Sequence, residues 1–556
     1  MVNVRSLIFY IHVFWPSLAQ SWTGSMIPKN VTAKVGWSPM WLAYLLCRMA
    51  ALLAPHLALA FDVDHGVMIR KKEIYTRLKE LILRIAMKNR FNVSRPKKVS
   101  LLISLFFLGL TSLQPSSLAS VNKSSPSVTD AFAVSDNELG ALHDEIEKRS
   151  QAIEKKLIAW RQDIHQHPEL GNLETRTAAR VAEHLRSLGM DVKTGVAVTG
   201  VVGTLQGGKP GRVVALRADM DALPVKEQAG LPFSSKAKGS YLGTEVDLMH
   251  ACGHDTHTAI LMATAEVLAG MKDKLPGTVK FIFQPAEEGP ANFEPDGKRS
   301  WGAKMMVQEG VMDNPKVDAI FGLHVTSVLP TGWLAWRPGA VTSAADTFSI
   351  DVKGKQTHGA LPWQGVDPIV VGSQIVMGIQ TIISRQSNIM KEPAVITVGT
   401  FNGGNRTNII PEEVKMTGSI RSYNEDMRKD IHHRLQHTVG HIAESAGAKG
   451  VINIMELYDA VNNDAELTKQ MSSTLQRVAG PGKFAVPDKV TASEDFSFYQ
   501  QKAPGLFFNL GVTPPGTDPV TAPANHSPLF YVDEAALLTG VRAMSNLTVD
   551  YLFSAK

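Results

Sequence analysis

Residues 249–257 read MHACGHDTH and gather His250, Cys252, His254, Asp255 and His257 into one short stretch. Thiolate, imidazole and carboxylate are the side chains that hold transition metals. Cys252 and Cys47 are the only cysteines, which excludes a disulfide scaffold and leaves no cysteine pairs for a structural zinc site. By itself the stretch admits three readings: a metal site, a Cys–His nucleophile, or a buried structural cysteine. Carboxylates elsewhere favour the metal. RADMDALP supplies Asp219 and Asp221, and QPAEEG supplies Glu287 and Glu288. A glutamate pair in a turn is most often merely solvated. This pair follows an apolar strand, and its two side chains point in different directions, so one can bind metal while the other moves a proton. GLHV and NHSP add His324 and His526, each an ordinary histidine if read alone. His358 in THGALP, Asn408 in NRTNIIPEE and Arg421 in GSIRSYN are, taken singly, loop or surface residues.

These residues need elements to position them. Residues 136–165, 174–188 and 258–271 carry helical patterns, and 201–205, 212–218, 278–283 and 319–325 read as strands. Alternating strands and helices indicate an α/β class with a mostly parallel sheet, whose ligands collect beyond the carboxyl ends of the strands. Asp219, Asp221, Glu287, Glu288 and His324 all fall at such ends. Residues 340–450 change to a β-α-β-β-α order that suits a small sheet with helices on one face. The expected organisation is therefore a catalytic domain in two parts, 137–339 and 451–556, interrupted by a smaller domain at 340–450.

The charge is uneven. The chain has 57 Lys/Arg and 52 Asp/Glu. Residues 1–100 carry 15 of the former and 4 of the latter, so the remainder is net −6 and shows no basic patch of the kind nucleic acid requires. Residues 87–119 read as a secretory signal peptide. Lys88, Arg90, Arg95, Lys97 and Lys98 precede an apolar run at 100–113, and Ser117 and Ala119 form a small-x-small cleavage site. The expectation is export to the periplasm from a start at Met87, with 1–86 a doubtful extension and 120–136 a linker. The alternative is a membrane anchor at 41–61, which Arg48 and His56 make costly.

Together the motifs resemble the aminoacylase/carboxypeptidase metallopeptidase family. The similarity is to its amidohydrolase branch: N-acyl-amino-acid amidohydrolases, hippurate hydrolases and plant auxin-conjugate hydrolases. RQDIHQHPELGNLE, RADMDALPV, MHACGHDTH, FQPAEEG, GLHV, THGALPWQGVDP, GTFNGGNRTNIIPEEVKMTGSIRS, SEDFSFY and NHSP carry it, from near residue 142 to the C-terminus. The resemblance implies a two-metal α/β domain interrupted by a ferredoxin-like satellite domain that often dimerises. It implies Cys252, His254, Glu288, His324 and His526 as ligands of two divalent ions (Mn, Zn, Co or Ni), with Cys252 bridging. It further implies Glu287 as general base, and His358 reaching an active site to polarise the scissile carbonyl. Asp219, Asp221 and Asp255 become supports that orient ligand histidines, and Asn408 and Arg421 bind the substrate carboxylate. The implied activity is metal-dependent hydrolysis of N-acyl amino acids by a homodimer. A metallo-dipeptidase or carboxypeptidase is the rival enzyme, and a non-catalytic periplasmic binding protein the rival outside enzymes.

Overall fold

The computed structural model describes residues 135–554. The expected signal peptide, the doubtful extension before it and nearly all of the expected linker lie outside the described residues. Among the described residues no helix is long and apolar enough to cross a membrane.

The larger domain opens with α1 (Asp136–Gln166), capped reciprocally by Ser135 and Glu138, and α2 (Thr175–Ser187). Strands β1 (Asp191–Val196), β2 (Gly200–Gln206) and β3 (Lys209–Asp219) follow, then α3 (His254–Ala269), β4 (Pro276–Gln284) and β5 (Ala319–Pro330). After the satellite come α6 (Ala465–Ala479), β10 (Gly505–Thr513) and α7 (Leu537–Phe553). One eight-stranded sheet runs β1-β2-β4-β3-β5-β10 and ends in the two-residue strands Leu334–Ala335 and Phe484–Ala485. Its centre, β4-β3-β5-β10, is parallel, as the strand–helix alternation implies. β1 and β2 add antiparallel pairs at one side, so the whole sheet is mixed.

Side chains alternate across a strand. Val214, Leu216 and Ala218 of β3, Phe281 and Phe283 of β4, and Phe321 and Leu323 of β5 enter the larger core, under α1, α3 and α7. α3 is buried on nearly every side because it lies between the sheet and those two helices. The opposite parity puts Arg217, Asp219, Gln284 and His324 on the other face. Register sets Gly322 beside Arg217 and Gln284 beside Asp219, so these groups sit level at one end of the sheet. His324 is at that level although β5 continues past it to Pro330; it lies within its strand and not at the strand's end.

The satellite comprises β6 (Ala344–Lys353), α4 (Pro368–Thr381), β7 (Ala394–Gly403), β8 (Glu413–Ser422), α5 (Glu425–Ser445) and β9 (Lys449–Tyr458). Its antiparallel sheet has the order β7-β8-β6-β9, a ferredoxin-like arrangement. The expected boundary at 450 is corrected here. β9 pairs with β6 along its length, so the inserted domain extends to Tyr458. Gly339–Ala340 and Asn462–Asn463, the two chain crossings between the domains, pair with each other.

Candidate metal centre

Gly253 fixes the start of α3. Its φ of +96° is left-handed, and a Cβ there would lie 2.3 Å from Val325 Cγ2. Only glycine fits such a position. The helix consequently begins at His254 and not at residue 258. His254 and His257, three residues apart, share one helix face and lie with ring centroids 5.4 Å apart. Asp255 points elsewhere. It accepts from Arg161 Nε and pairs with His165 Nδ1, both at 2.9 Å, and so ties α3 to α1. The expectation that Asp255 orients a ligand histidine is corrected on that ground.

Cys252 Sγ lies 3.3 Å from His324 Nε2 and 3.2 Å from His526 Nε2, and His526 Nε2 lies 2.8 Å from Glu288 Oε1. Two groups of metal-capable atoms share the sulfur: Cys252 with His254 and His324, and Cys252 with Glu288 and His526. Both nitrogens of buried His254 make no hydrogen bond, although the Asp221 carboxylate lies 3.3 Å from Nδ1. Buried polar atoms left this way are costly; divalent cations at the two groups satisfy them, so the donor set fits a dinuclear centre. Cys252 and Glu288 raise His526 to about 10, which marks a point that demands positive charge. Burial, then Glu288, pushes the Cys252 thiol up.

Each candidate is held from behind. His324 Nδ1 faces the Val325 carbonyl at 2.7 Å, which leaves Nε2 toward the cluster. Burial, then His257 and His254, holds His324 well below the usual histidine range, and a neutral imidazole is the ligand form. The loop bearing His526 is strapped down: the His526 N–H donates to Ala251 O at 2.8 Å, and Asn525 Nδ2 donates to Cys252 O at 3.0 Å and Val325 O at 3.1 Å. Asp221 accepts the Glu287 and Glu288 N–H groups at 3.0 and 2.9 Å and lies 3.3 Å from His254 Nδ1. Asp219 engages His257 Nδ1 at 2.6 Å and is 3.8 Å from His254 Nε2. His257 Nε2 accepts the Val325 N–H at 2.9 Å, so both its nitrogens are occupied.

Glu287 stands between two groups, within reach of His254 and Glu288 on one side and of Glu494 and Asp495 on the other. Burial, with Glu494, Glu288 and Asp495 around it, pushes its carboxyl well above the ordinary glutamate range. Several supports were not among the sequence-based site residues. Arg217 Nη2 donates to Glu494 at 2.9 Å and Asp495 at 3.0 Å, and Arg217 Nη1 to Asp219 at 2.6 Å. Glu174 accepts from Ala286 N–H at 2.8 Å and from the Thr199 hydroxyl. Burial and then Asp221 push Glu174 up to about 8. Tyr458, the last residue of β9, donates to the Glu287 carbonyl at 2.9 Å. The signal for Arg217 was its parity with Asp219 on one strand; for Glu494 and Asp495 it was the SEDF motif.

Not every expected residue joins the cluster. His358 is exposed in a short strand paired with Ile409–Ile410, and Asn408 is exposed beside it, its carbonyl accepting from Gly359. Within one chain neither belongs to the cluster, a correction to any reading that places them there in cis. Arg421 does lean toward it, donating to Ser493 Oγ at 3.3 Å next to Glu494.

A family model described as peptidase family M20/M25/M40 matches residues 215–550. Thermostable carboxypeptidase 1 of Saccharolobus solfataricus is 40% identical over 401 residues, 72% of this chain and 96% of that protein. N-acetyl-L-cysteine deacetylase of Bacillus subtilis is 34% identical over 388 residues, 69% and 86% respectively. The crystal structure of the Bacillus subtilis YXEP protein, described as a dinuclear metal binding peptidase from the M20 family, is 32% identical with a TM-score of 0.60, covering 72% of this chain and 99% of that one.

Proposed function

Because the chain belongs to the M20/M25/M40 peptidase family, we propose that it is an amidohydrolase that splits the acyl–nitrogen bond of N-acyl amino acids. Metal-dependent hydrolysis of an amide or peptide bond in a small substrate follows from that membership and from the candidate dinuclear cluster. The finer reading rests on the acidic pair beside Glu287. An enzyme that requires a free amine needs a carboxylate available to hold the ammonium. Glu494 and Asp495 are buried and already engaged by Arg217, by Gln284 Nε2 at 2.7 Å and by the Ala303 N–H at 2.8 Å. An N-acyl amino acid instead presents a neutral amide and one carboxylate. Arg421, on the satellite strand β8 and bonded to Ser493 of the larger domain, suits that carboxylate through its planar fork of donors. A relative named as a deacetylase of N-acetyl-L-cysteine supports the same class.

In this reading Cys252, His254 and His324 hold one divalent ion, and Cys252, Glu288 and His526 hold the other; manganese, zinc, cobalt and nickel all suit such donors. Bound there, the ions supply Lewis acidity, which acidifies water and stabilises negative charge on the carbonyl oxygen. Glu287 takes the proton of the attacking water and delivers it to the departing nitrogen. Asp221 fixes the spacing of Glu287 from Glu288 through their backbone N–H groups, and Arg217 keeps Glu494 and Asp495 from drifting onto the base.

His358 and Asn408 enter through a second copy. Among the described residues β7 is an unpaired edge of the satellite sheet, with Val395 and Phe401 exposed, and Met377 of neighbouring α4 is 71% exposed. Such an edge invites strand pairing. A homodimer formed there accounts for the exposed His358, as the partner subunit's His358 then polarises the scissile carbonyl.

The test compares N-benzoylglycine with an unblocked glycyl dipeptide. The proposal expects hydrolysis of the former and little of the latter. The carboxypeptidase or dipeptidase reading, favoured by 40% identity to a thermostable carboxypeptidase, expects the dipeptide to be cleaved at least as fast.

A further inference from the structure

α5 carries a second concentration of metal-capable side chains, remote in sequence from the cluster. Its sequence EDMRKDIHHRLQHTVGHIAES repeats histidine every four residues, at His433, His437 and His441. That spacing lays them along one stripe, with successive Cβ atoms about 5–6 Å apart. The stripe faces away from the satellite core. Ile431, Leu435, Val439 and Ala443 fill the core, whereas all three histidines are exposed. Their rings already stand side by side, 4.9 Å and 4.8 Å between successive centroids. Only His441 of the three has a polar partner among the described residues, Glu444 Oε2 at 3.4 Å. His432 is different: it points inward to Asp346 at 2.7 Å. Gly440 keeps the surface beside His437 and His441 open, since a Cβ there would meet nothing within 4 Å.

HRLQH and HTVGH are thus two overlapping pairs of imidazoles one helical turn apart. Two histidines so spaced can share one ion, each nitrogen at about 2.0–2.1 Å from it. The helix fixes their separation beforehand, so little ordering is needed on binding. We propose that His433, His437 and His441 form a surface site for one imidazole-preferring divalent transition-metal ion (Cu²⁺, Ni²⁺ or Zn²⁺), separate from the hydrolytic cluster. His433 and His441 are about 12 Å apart along the axis, too far to ligate one ion together. His437 is therefore a ligand in either arrangement, and His433 and His441 alternate as its partner. Copper binds most tightly, as the usual order of divalent affinities requires.

Enzyme whose hydrolytic ions are already loaded is titrated with Cu²⁺, and bound copper is counted after equilibrium dialysis while nitrogen coordination is read by electron paramagnetic resonance. Wild type binds one more copper per chain than H437A. H433A and H441A each keep that ion, bound more weakly. The rate of hydrolysis and the melting curve are the same in all four proteins. Equal copper binding by wild type and H437A overturns the proposal, as does complete loss of the ion in H433A or H441A alone.

Discussion

At Cys252 two histidine nitrogens converge on one sulfur, a set of donors that suits a divalent cation. His324 has its other nitrogen committed to the Val325 carbonyl, and Nε2 of His526 lies within reach of both Cys252 Sγ and Glu288 Oε1. Removing the shared ligand must weaken both halves of the centre. Cys252→Ala is expected to reduce bound metal from two ions per chain to one or none, measured by elemental analysis after dialysis. A nucleophilic cysteine predicts the opposite pattern, with full metal content and no turnover. The residue types of this centre were legible from the sequence because dense histidine, cysteine and carboxylate motifs stand out against an ordinary composition. The roles of Asp255 and Arg217 were not. Each depends on a direction in space: on where α3 begins for Asp255, and on strand parity and pairing for Arg217.

The helix start matters at the scale of elements. The apolar pattern of α3 suggested residue 258, but the left-handed Gly253 sets it at His254 and turns His254 toward the sheet. Gly253→Ala drives a methyl into Val325 and forces an unfavourable φ. It is expected to cost about 1–3 kcal/mol, read from the midpoint of denaturant unfolding, and to loosen metal binding by displacing His254. The contact between α1 and α3 has its own signature. Burial opposes the charged form of His165, but the Asp255 and Glu227 carboxylates outweigh it and hold the group above its ordinary value. A raised histidine contributes stability that is complete below its unfolded pKa, about 6.5, and is lost as pH rises through its folded pKa. The stability difference between wild type and His165→Gln is therefore expected to be largest in mildly acidic solution and to shrink above neutrality. A difference that grows with pH contradicts the assignment.

At the scale of the whole molecule, the sequence pattern carried the α/β sheet and the inserted domain but misplaced the end of the insertion. β9 alternates like any half-buried strand, and which sheet it joins is settled by pairing with β6, more than ninety residues earlier. The same long-range logic governs the exposed His358. If the partner subunit's His358 completes each site, two inactive variants must complement each other. Glu287→Gln and His358→Ala, each nearly inactive alone, are expected to regain about a quarter of wild-type activity when unfolded and refolded together. Half the dimers are then mixed, and each of those has one intact site. No recovery places His358 outside the reaction or confines it to its own chain.

The central claim is that Glu287 moves the proton in a hydrolysis that needs two divalent ions. Wild type and Glu287→Gln, stripped with chelator and reconstituted with Mn²⁺ or Zn²⁺, are assayed on N-benzoylglycine with bound metal counted in the same samples. The expected result is two ions in both proteins, wild-type activity lost on chelation and restored by metal, and kcat lower by about 10²–10⁴-fold in the variant. Wild-type activity that survives chelation, or an unchanged kcat in a Glu287→Gln protein holding two ions, contradicts it.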